Sequence, residues 1–335
     1  MFKLESLTPD YRFDAVLLEN RIKSLGRELV DKKFDRVECR KKVEECGFVL
    51  DKVSLVEPGR GVEFLAADSS IVKEELRYMA LWAVHCVVLR GCFDLDKHRD
   101  PLIGGDIRYK NLMYDSFIDA GQIKPYQMVD EQINNIRIHQ EYKSLNRSLK
   151  DLKNEGVKPD YLLVDGSLIT NQRKLSRYKN KDALEEYTRL KNECMIVGLC
   201  EDSHAGDLAA KFGMDSTNIM FFDLILDEKE YVVHKKDDVY ICHLKLPSKK
   251  LSYTGGINSP PLTVRWEFTN KDFIMDLNKL AFIWSCEDDL LHPQIYPLRI
   301  VDYLTRKIKM PGLLRRIIEE NNLMLRYRDM RESSI

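Results

Sequence analysis

Two aspartates carry the first chemical signal. Asp68 ends the apolar run in "EFLAADSSIV" (63–72) and is followed by Ser69 and Ser70. Asp165 ends the apolar run in "PDYLLVDGSLIT" (159–170) and is followed by Gly166 and Ser167. Carboxylate oxygens are hard ligands suited to Mg²⁺ or Mn²⁺. In open α/β sheets, ligand and catalytic groups collect at the carboxyl ends of strands. Two such strands side by side would bring both carboxylates to one edge, and the small residues after each Asp leave room for a metal and a phosphate. D-S-S and D-G-S are also good turn chemistry. Either motif alone reads as a turn; the two together, each at a strand end, read as a joint site.

A third carboxylate must come from elsewhere. Glu141 flanks the apolar stripe of a helix read over 137–154, where Ile138, Tyr142, Leu145, Leu149 and Leu152 recur at helical spacing. Glu131, Glu74 and Glu75 are alternatives. Late in the chain, "QIYPLRIVDYLTRK" starts a helix at Tyr296–Pro297, whose inward turn would carry Asp302 toward a site. "TVRWEF" sets Arg265 and Glu267 on one strand face, as a salt bridge or as a phosphate contact. "GLCEDSHAGDL" places Asp202, Ser203 and His204 after another apolar run, without the surroundings of a nucleophile elbow. No phosphate-binding P-loop and no dinucleotide fingerprint occurs.

The elements that must position these residues follow from periodicity and punctuation. "VEFLAADS" reads as a strand. "ELRYMALWAVHCVVLRG" reads as one or two strands closed by Gly91. Residues 94–128 look mixed, with "DPLIGGD" and "AGQIKPY" as turns. "YLLVD", "CMIVGLC", "DDVYICHLKL" and "LTVRWEFT" read as strands, and 181–193 as a helix. "HAGDLAAKFG" is a helix closed by Gly213, and "NIMFFDLIL" is mixed. The C-terminal stretch is helical, broken at Pro311–Gly312. Within 306–331, eight Lys or Arg face three Asp or Glu, a local basic excess that suits a nucleic-acid backbone or a surface helix. "DAVLLENRIKSLGRELVDKKF" is helical, so residues 1–55 form an N-terminal helical arm and 56–335 one α/β domain, a mixed sheet flanked by helices.

Composition bounds the rest. Lys plus Arg number 53 against 54 Asp plus Glu, so any nucleic-acid surface must be local rather than global. Eight cysteines without a CxxC pair read as free thiols in a reducing compartment. The charged N-terminus is not a targeting peptide. No run approaches the roughly 18 apolar residues of a membrane span, so a cytoplasmic protein is expected.

The ordered set Asp68-Ser69-Ser70, "LLVDGSL" (162–168), "VGLCEDS" (197–203), "TVRWEF" (263–268) and "YPLRIVD" (296–302) resembles the NurA nuclease family across most of the chain. That resemblance implies an RNase H-like fold, Mn²⁺-dependent DNA cleavage (with Mg²⁺ as the alternative ion) and a homodimer. It also implies a hexameric HerA-type ATPase as partner and a role in resecting DNA ends in archaea. Asp68 and Asp165 match the family's metal-binding aspartates, and Tyr296 matches its late Tyr. Asp302 stands where many members carry His. The helix Glu of the family has no unambiguous counterpart; Arg147 and Ser148 occupy the shorter spacing, with Glu141 about two turns earlier. The expected set is therefore Asp68, Asp165, Glu141 and Asp302 on the metal, with Tyr296 in catalysis. Ser69, Ser167, Arg265 and Arg299 are expected on DNA, bound as single strand or duplex end. An inactive end-binding or translocase-clamping module of the same fold is the alternative.

Overall fold

The computed structural model describes residues 35–76, 79–99, 106–124, 129–200, 205–248, 261–287, 294–307 and 310–321. The chain divides into two compact units, Met1–Cys46 and Gly47–Ile335. In the first, the described part is helix α1 (Arg36–Glu45), capped by Asp35, whose carboxylate accepts from the Glu38 N–H. The helix expected over 14–34 lies outside the described residues.

The second unit is built on a nine-stranded mixed sheet in the order β1-β7-β8-β9-β6-β5-β2-β3-β4. Its strands are β1 (Leu50–Lys52), β2 (Val62–Glu75), β3 (Ala80–Arg99), β4 (Asp106–Ile123), β5 (Tyr161–Asp165), β6 (Met195–Cys200), β7 (Glu230–Lys236), β8 (Val239–Leu246) and β9 (Leu262–Phe268). β1 pairs antiparallel with β7, so residues that the sequence assigned to the arm belong to the sheet. β2, β3 and β4 form an antiparallel meander. β2, β5 and β6 run parallel, so each connection between them must cross over a face. Helix α2 (Val129–Asn154) precedes β5, while α3 (Leu168–Arg177) and α4 (Lys181–Glu193) lead from β5 to β6. Two short helices, α5 (Asp207–Lys211) and α6 (Asn218–Ile225), precede β7. After β9 come α7 (Phe273–Ser285), α8 (Tyr296–Lys307) and α9 (Met310–Glu320).

Alternation along the strands divides the core between two faces. Phe64, Ala66, Leu163 and Trp266 pack with Trp284 of α7 and with Leu298 and Val301 of α8. Leu65, Ala67, Leu162 and Val164 pack with Tyr142 and Leu145 of α2, Leu168 of α3 and Leu190 of α4. Burial on both faces explains why β5 and β6 read as continuous apolar runs rather than alternating ones. Among the described residues, no helix is long and apolar enough to cross a membrane. All eight cysteines are free.

Several boundaries differ from the sequence reading, each for a local reason. β3 runs through Gly91, which serves packing rather than a turn: a Cβ there would lie 2.6 Å from Leu112 Cδ2. Gly121 likewise lies inside β4, where a Cβ would meet the Trp82 ring at 2.7 Å. "NIMFFDLI" is helical because Thr217 caps it, accepting from the Met220 N–H. Helix α9 runs through Pro311 and Gly312; the proline sits in its first turn, where no N–H is required.

The turn after β5 is set by two glycines. Gly166 has φ +90°, a conformation that favours glycine. Gly198, on neighbouring β6, lies so close that a Cβ would sit 2.7 Å from the Gly166 carbonyl oxygen and 2.9 Å from Leu168 Cγ. Gly198→Ala should therefore destabilise the protein by about 1–3 kcal/mol through overpacking. Urea unfolding checks this, and a midpoint equal to that of the parent would show that the turn can yield.

Candidate active site

Asp68 and Asp165 stand abreast. β2 and β5 pair in parallel register with Ala67 opposite Val164, so the next residue on each strand is an aspartate at the same level. Parallel neighbours lie about 4.8 Å apart. By alternation both side chains share the face of Phe64, Ala66 and Leu163, which α7 and α8 cover. Asp68 is 8% exposed, and its Oδ2 accepts from Thr305 Oγ1 at 3.1 Å. Asp165 Oδ1 accepts from Gln294 Nε2 at 2.8 Å. Burial pushes the Asp68 carboxyl above its usual range. The Ser69 N–H, Thr305 and Arg137 oppose that rise, and the charge of Asp302 adds to it.

Ser69 points to the other face, with Leu65 and Ala67. Its Oγ donates to Glu141 Oε2 (2.7 Å) and accepts from Arg137 Nη1 (3.1 Å). Arg137, one turn before Glu141 on α2, also pairs with Glu141 Oε2 at 3.1 Å. The second oxygen, Oε1, is buried without a hydrogen-bond partner among the described residues. Burial pushes Glu141 up to about 7; Arg137 works against this, and the charges of Asp68 and Asp165 add to it. The three carboxylates therefore converge electrostatically, with Glu141 approaching from the opposite side of β2.

The late motif divides into two parts. Asp302 is half-buried, and its Oδ1 pairs with Arg306 Nε at 2.7 Å. Three residues on, Thr305 reaches Asp68, and its own carbonyl accepts from His85 Nδ1 and Ser70 Oγ, both at 3.3 Å. Tyr296 instead joins a knot at the start of α8. Its ring stacks on Tyr109 at 5.3 Å and lies under the Arg299 guanidinium at 5.4 Å. Glu287 binds the Tyr296 N–H (2.7 Å), Tyr109 Oη (2.7 Å) and Arg299 Nη2 (2.8 Å). Tyr296 Oη is buried without a hydrogen-bond partner among the described residues.

Arg265 and Ser167 meet through Glu267. Arg265 Nη2 and Glu267 Oε1 form an ion pair at 2.5 Å, both side chains being buried. Glu267 also accepts from Ser167 Oγ (2.9 Å) and the Ile169 N–H (3.1 Å), while Ser167 Oγ caps α3 by accepting from the Thr170 N–H. The "TVRWEF" strand thus fastens the Asp165 turn. Of the alternative carboxylates, Glu74 pairs with Arg315 and Glu75 with Lys73. Asp202, Ser203 and His204 lie outside the described residues. Sequence reasoning did not single out Thr305, Gln294 or Arg137 as residues of this site. Thr305 sits three residues after Asp302 and Gln294 two before Tyr296, a signal only once α8 is placed against β2 and β5.

Among the described residues, no three His, Cys, Asp or Glu side chains form a ready-made metal cage. Asp68 and Asp165 fit the other common arrangement, in which one or two carboxylates hold a divalent ion and water or substrate phosphate completes its shell. The partnerless Glu141 oxygen and the raised Asp68 and Glu141 carboxyls mark a spot short of positive charge.

Those shifts set a pH dependence for the metal-free protein. Unfolded, Glu141 loses its proton near 4.5; folded, it keeps it to about 7. Across that window the folded state holds more protons, so stability falls as pH rises, on the order of 3 kcal/mol in all. Urea unfolding in EDTA should show the decline, and Glu141→Gln should flatten it. Parent stability that is level or rising across the window would refute the assignment.

Two solved structures share this architecture. The NurA nuclease from Sulfolobus solfataricus superposes with a TM-score of 0.58 at 14% identity, covering 94% of this chain and 98% of that one. A NurA crystallised with manganese gives 0.52 at 9% identity, covering 92% and 98%. No family model and no curated protein matches the sequence. The nine-stranded mixed sheet flanked by helices thus has the fold of the NurA nucleases.

Proposed function

We propose that the chain is a divalent-metal-dependent DNA nuclease, a phosphodiester hydrolase. The observation that carries this reading is the level placement of Asp68 and Asp165 on one face of β2 and β5. The manganese in one of the compared NurA structures supports Mn²⁺ as the ion, with Mg²⁺ as the alternative. Asp68 and Asp165 would hold it, with Glu141 and Asp302 as neighbouring carboxylates. Bound there, such an ion supplies Lewis acidity toward a phosphate oxygen and makes water a better nucleophile.

The protein's own groups have separate tasks. Thr305 and Gln294 orient the two aspartates. Glu141 can keep its proton to about pH 7, which limits negative charge beside the pair until a cation arrives. Arg137 holds Glu141 and Ser69 in place. Asp302, one turn before Thr305, would orient water at the site. Tyr296 would act from the knot beneath α8. Ser69, Ser167, Arg265 and Arg299 are each bonded within the protein, so their contribution to DNA binding would be to shape the surface that meets the phosphates. The finer reading is 5′-to-3′ exonuclease and single-strand endonuclease activity at double-strand breaks undergoing resection. The enzyme would work as a homodimer with a hexameric HerA-type ATPase. The NurA fold and the ordered motifs support that reading.

A second reading has one observation in its favour. Glu141 is engaged by Ser69 and Arg137, and no ready three-carboxylate cage exists among the described residues. That arrangement would suit an inactive DNA-end-binding or translocase-clamping module.

Cleavage of linear DNA separates the two. With Mn²⁺ the parent should cut and EDTA should stop it. Asp68→Asn and Asp165→Asn should each lower the rate by more than about 100-fold, beyond the 10–100-fold typical of outer-shell losses, with thermal unfolding intact. A parent that binds DNA ends and never cuts them, at any Mn²⁺ or Mg²⁺ level, would establish the inactive module.

A further inference from the structure

At the sheet edge opposite Asp68 and Asp165 lies a cavity of about 810 Å³. It forms where the amino ends of β5 and β6 meet the carboxyl end of β9 and the β7–β8 hairpin. Its volume falls in the range of small-molecule sites, roughly 300–1,000 Å³. The register explains why it exists. β5 begins at Tyr161 beside Met195, β9 ends at Phe268 beside Val197, and Tyr240 of β8 stands opposite Phe268. Four strands thus begin or end at one level, and the loops around them stand up as walls.

Charge is the distinctive property of the lining. Each of its three carboxylates already has a cation. Asp160 pairs with Arg60 at 2.5 Å, Asp238 with Lys191, and Glu193 with Lys153. Lys158, Lys235 and Lys271 also line the cavity, and among the described residues none has a carboxylate within ion-pair distance. Three ammonium groups therefore face one space with the acids around them already neutralised. Arg60 is committed to Asp160 and to the Gly61 carbonyl (2.9 Å), so no open guanidinium fork is offered to a planar carboxylate. Lysine binds phosphate as a point charge, and a phosphate monoester carries about −1.5 to −2 at neutral pH. The wall beside the lysines is fixed by ring contacts. Tyr240 is backed by Phe273, with ring centroids 5.3 Å apart, and Lys235 Nζ lies 5.6 Å from its face. Asn192 and Asn270 add amides able to meet a base edge.

We propose that this cavity binds the phosphate monoester of a nucleotide, either free or at the end of a nucleic-acid strand. Lys158, Lys235 and Lys271 take the phosphate, and the Asn192 and Asn270 amides meet the base edge. The site is separate from the carboxylate pair and uses none of its residues, so it stands whether or not the chain cuts DNA.

Isothermal titration calorimetry on the full chain, in EDTA to silence metal-held phosphate, tests this. The probes are dAMP, deoxyadenosine, and one short DNA strand with either a 5′-phosphate or a 5′-hydroxyl. dAMP should bind at least about tenfold more tightly than deoxyadenosine, a difference of about 1.4 kcal/mol. The triple variant Lys158→Gln/Lys235→Gln/Lys271→Gln should lose about tenfold or more with unchanged thermal unfolding, since all three side chains are exposed. Asp165→Asn should bind like the parent. Tighter binding of the 5′-phosphorylated strand than of dAMP would assign the site to strand ends, and the reverse order to free nucleotides. No binding by any phosphorylated probe, or parent-like binding by the triple variant, would overturn the proposal.

Discussion

The parallel pairing of β2 with β5 is the constraint on which the rest of the molecule turns. Ala67 opposite Val164 forces the next residues, Asp68 and Asp165, to stand side by side. Two carboxylates at neighbouring-strand distance repel, and burial adds to the cost of ionising Asp68. Nothing in the packing of a sheet favours that arrangement. It persists because the strands around it are over-determined. β2 is registered along its whole length against β3, β5 is paired on both sides, and both faces are closed by apolar side chains.

Much of the surrounding polar chemistry holds this geometry in place. Glu267, fully buried, ties the Asp165 turn to β9 through Ser167 and the Ile169 N–H, and Arg265 balances its charge. His85 and Ser70 hold the Thr305 carbonyl, so Thr305 can aim its hydroxyl at Asp68. The Thr305 hydroxyl lies near both Asp68 Oδ2 and the Asp302 carbonyl but has one proton to give. Asp68 shares that proton and has the Ser69 N–H besides, whereas one oxygen of Glu141 faces no donor among the described residues. The carboxylates gathered around the Arg137 guanidinium leave the spot short of positive charge.

What could be seen in the sequence was what local pattern encodes. An apolar run stopping at Asp with small residues behind it reads as a strand end. Asp165 does end β5, whereas β2 runs on through Asp68 to Glu75, because its pairing with β3 continues past the level where β5 stops. Their adjacency could not be derived from either segment, because pairing across so long a stretch of chain depends on the crossover through α2. The resemblance carried that step. Glu141 was visible as a helix residue beside an apolar stripe, but its contact with Ser69 depends on how α2 lies across β2. Arg265 and Glu267 show the opposite limit. Their spacing put them on one strand face, while the question of phosphate or salt bridge was decided by the depth of β9 in the sheet. β4 was missed because it is an edge strand whose exposed side chains, Met113, Tyr114 and Ile118 among them, do not alternate cleanly. The glycines in β3 and β4 were mistaken for punctuation because sequence does not show that Leu112 and Trp82 need the space.

The sheet also separates charge by direction. Asp68, Asp165 and Glu141 gather where β5 ends, and lysines gather around a cavity where it begins. β5, five residues long, spans the gap between them, about 16 Å at roughly 3.3 Å per residue. That exceeds the Debye length of about 8 Å at physiological salt, so through solvent the two edges hardly sense each other. An anion held at one edge would therefore add little to the affinity of the other for a cation. Placing opposite charges at opposite ends of the same short parallel strands lets one sheet hold both without a buried ion pair to cancel them. The apolar length of β5 and β6 is what keeps them apart.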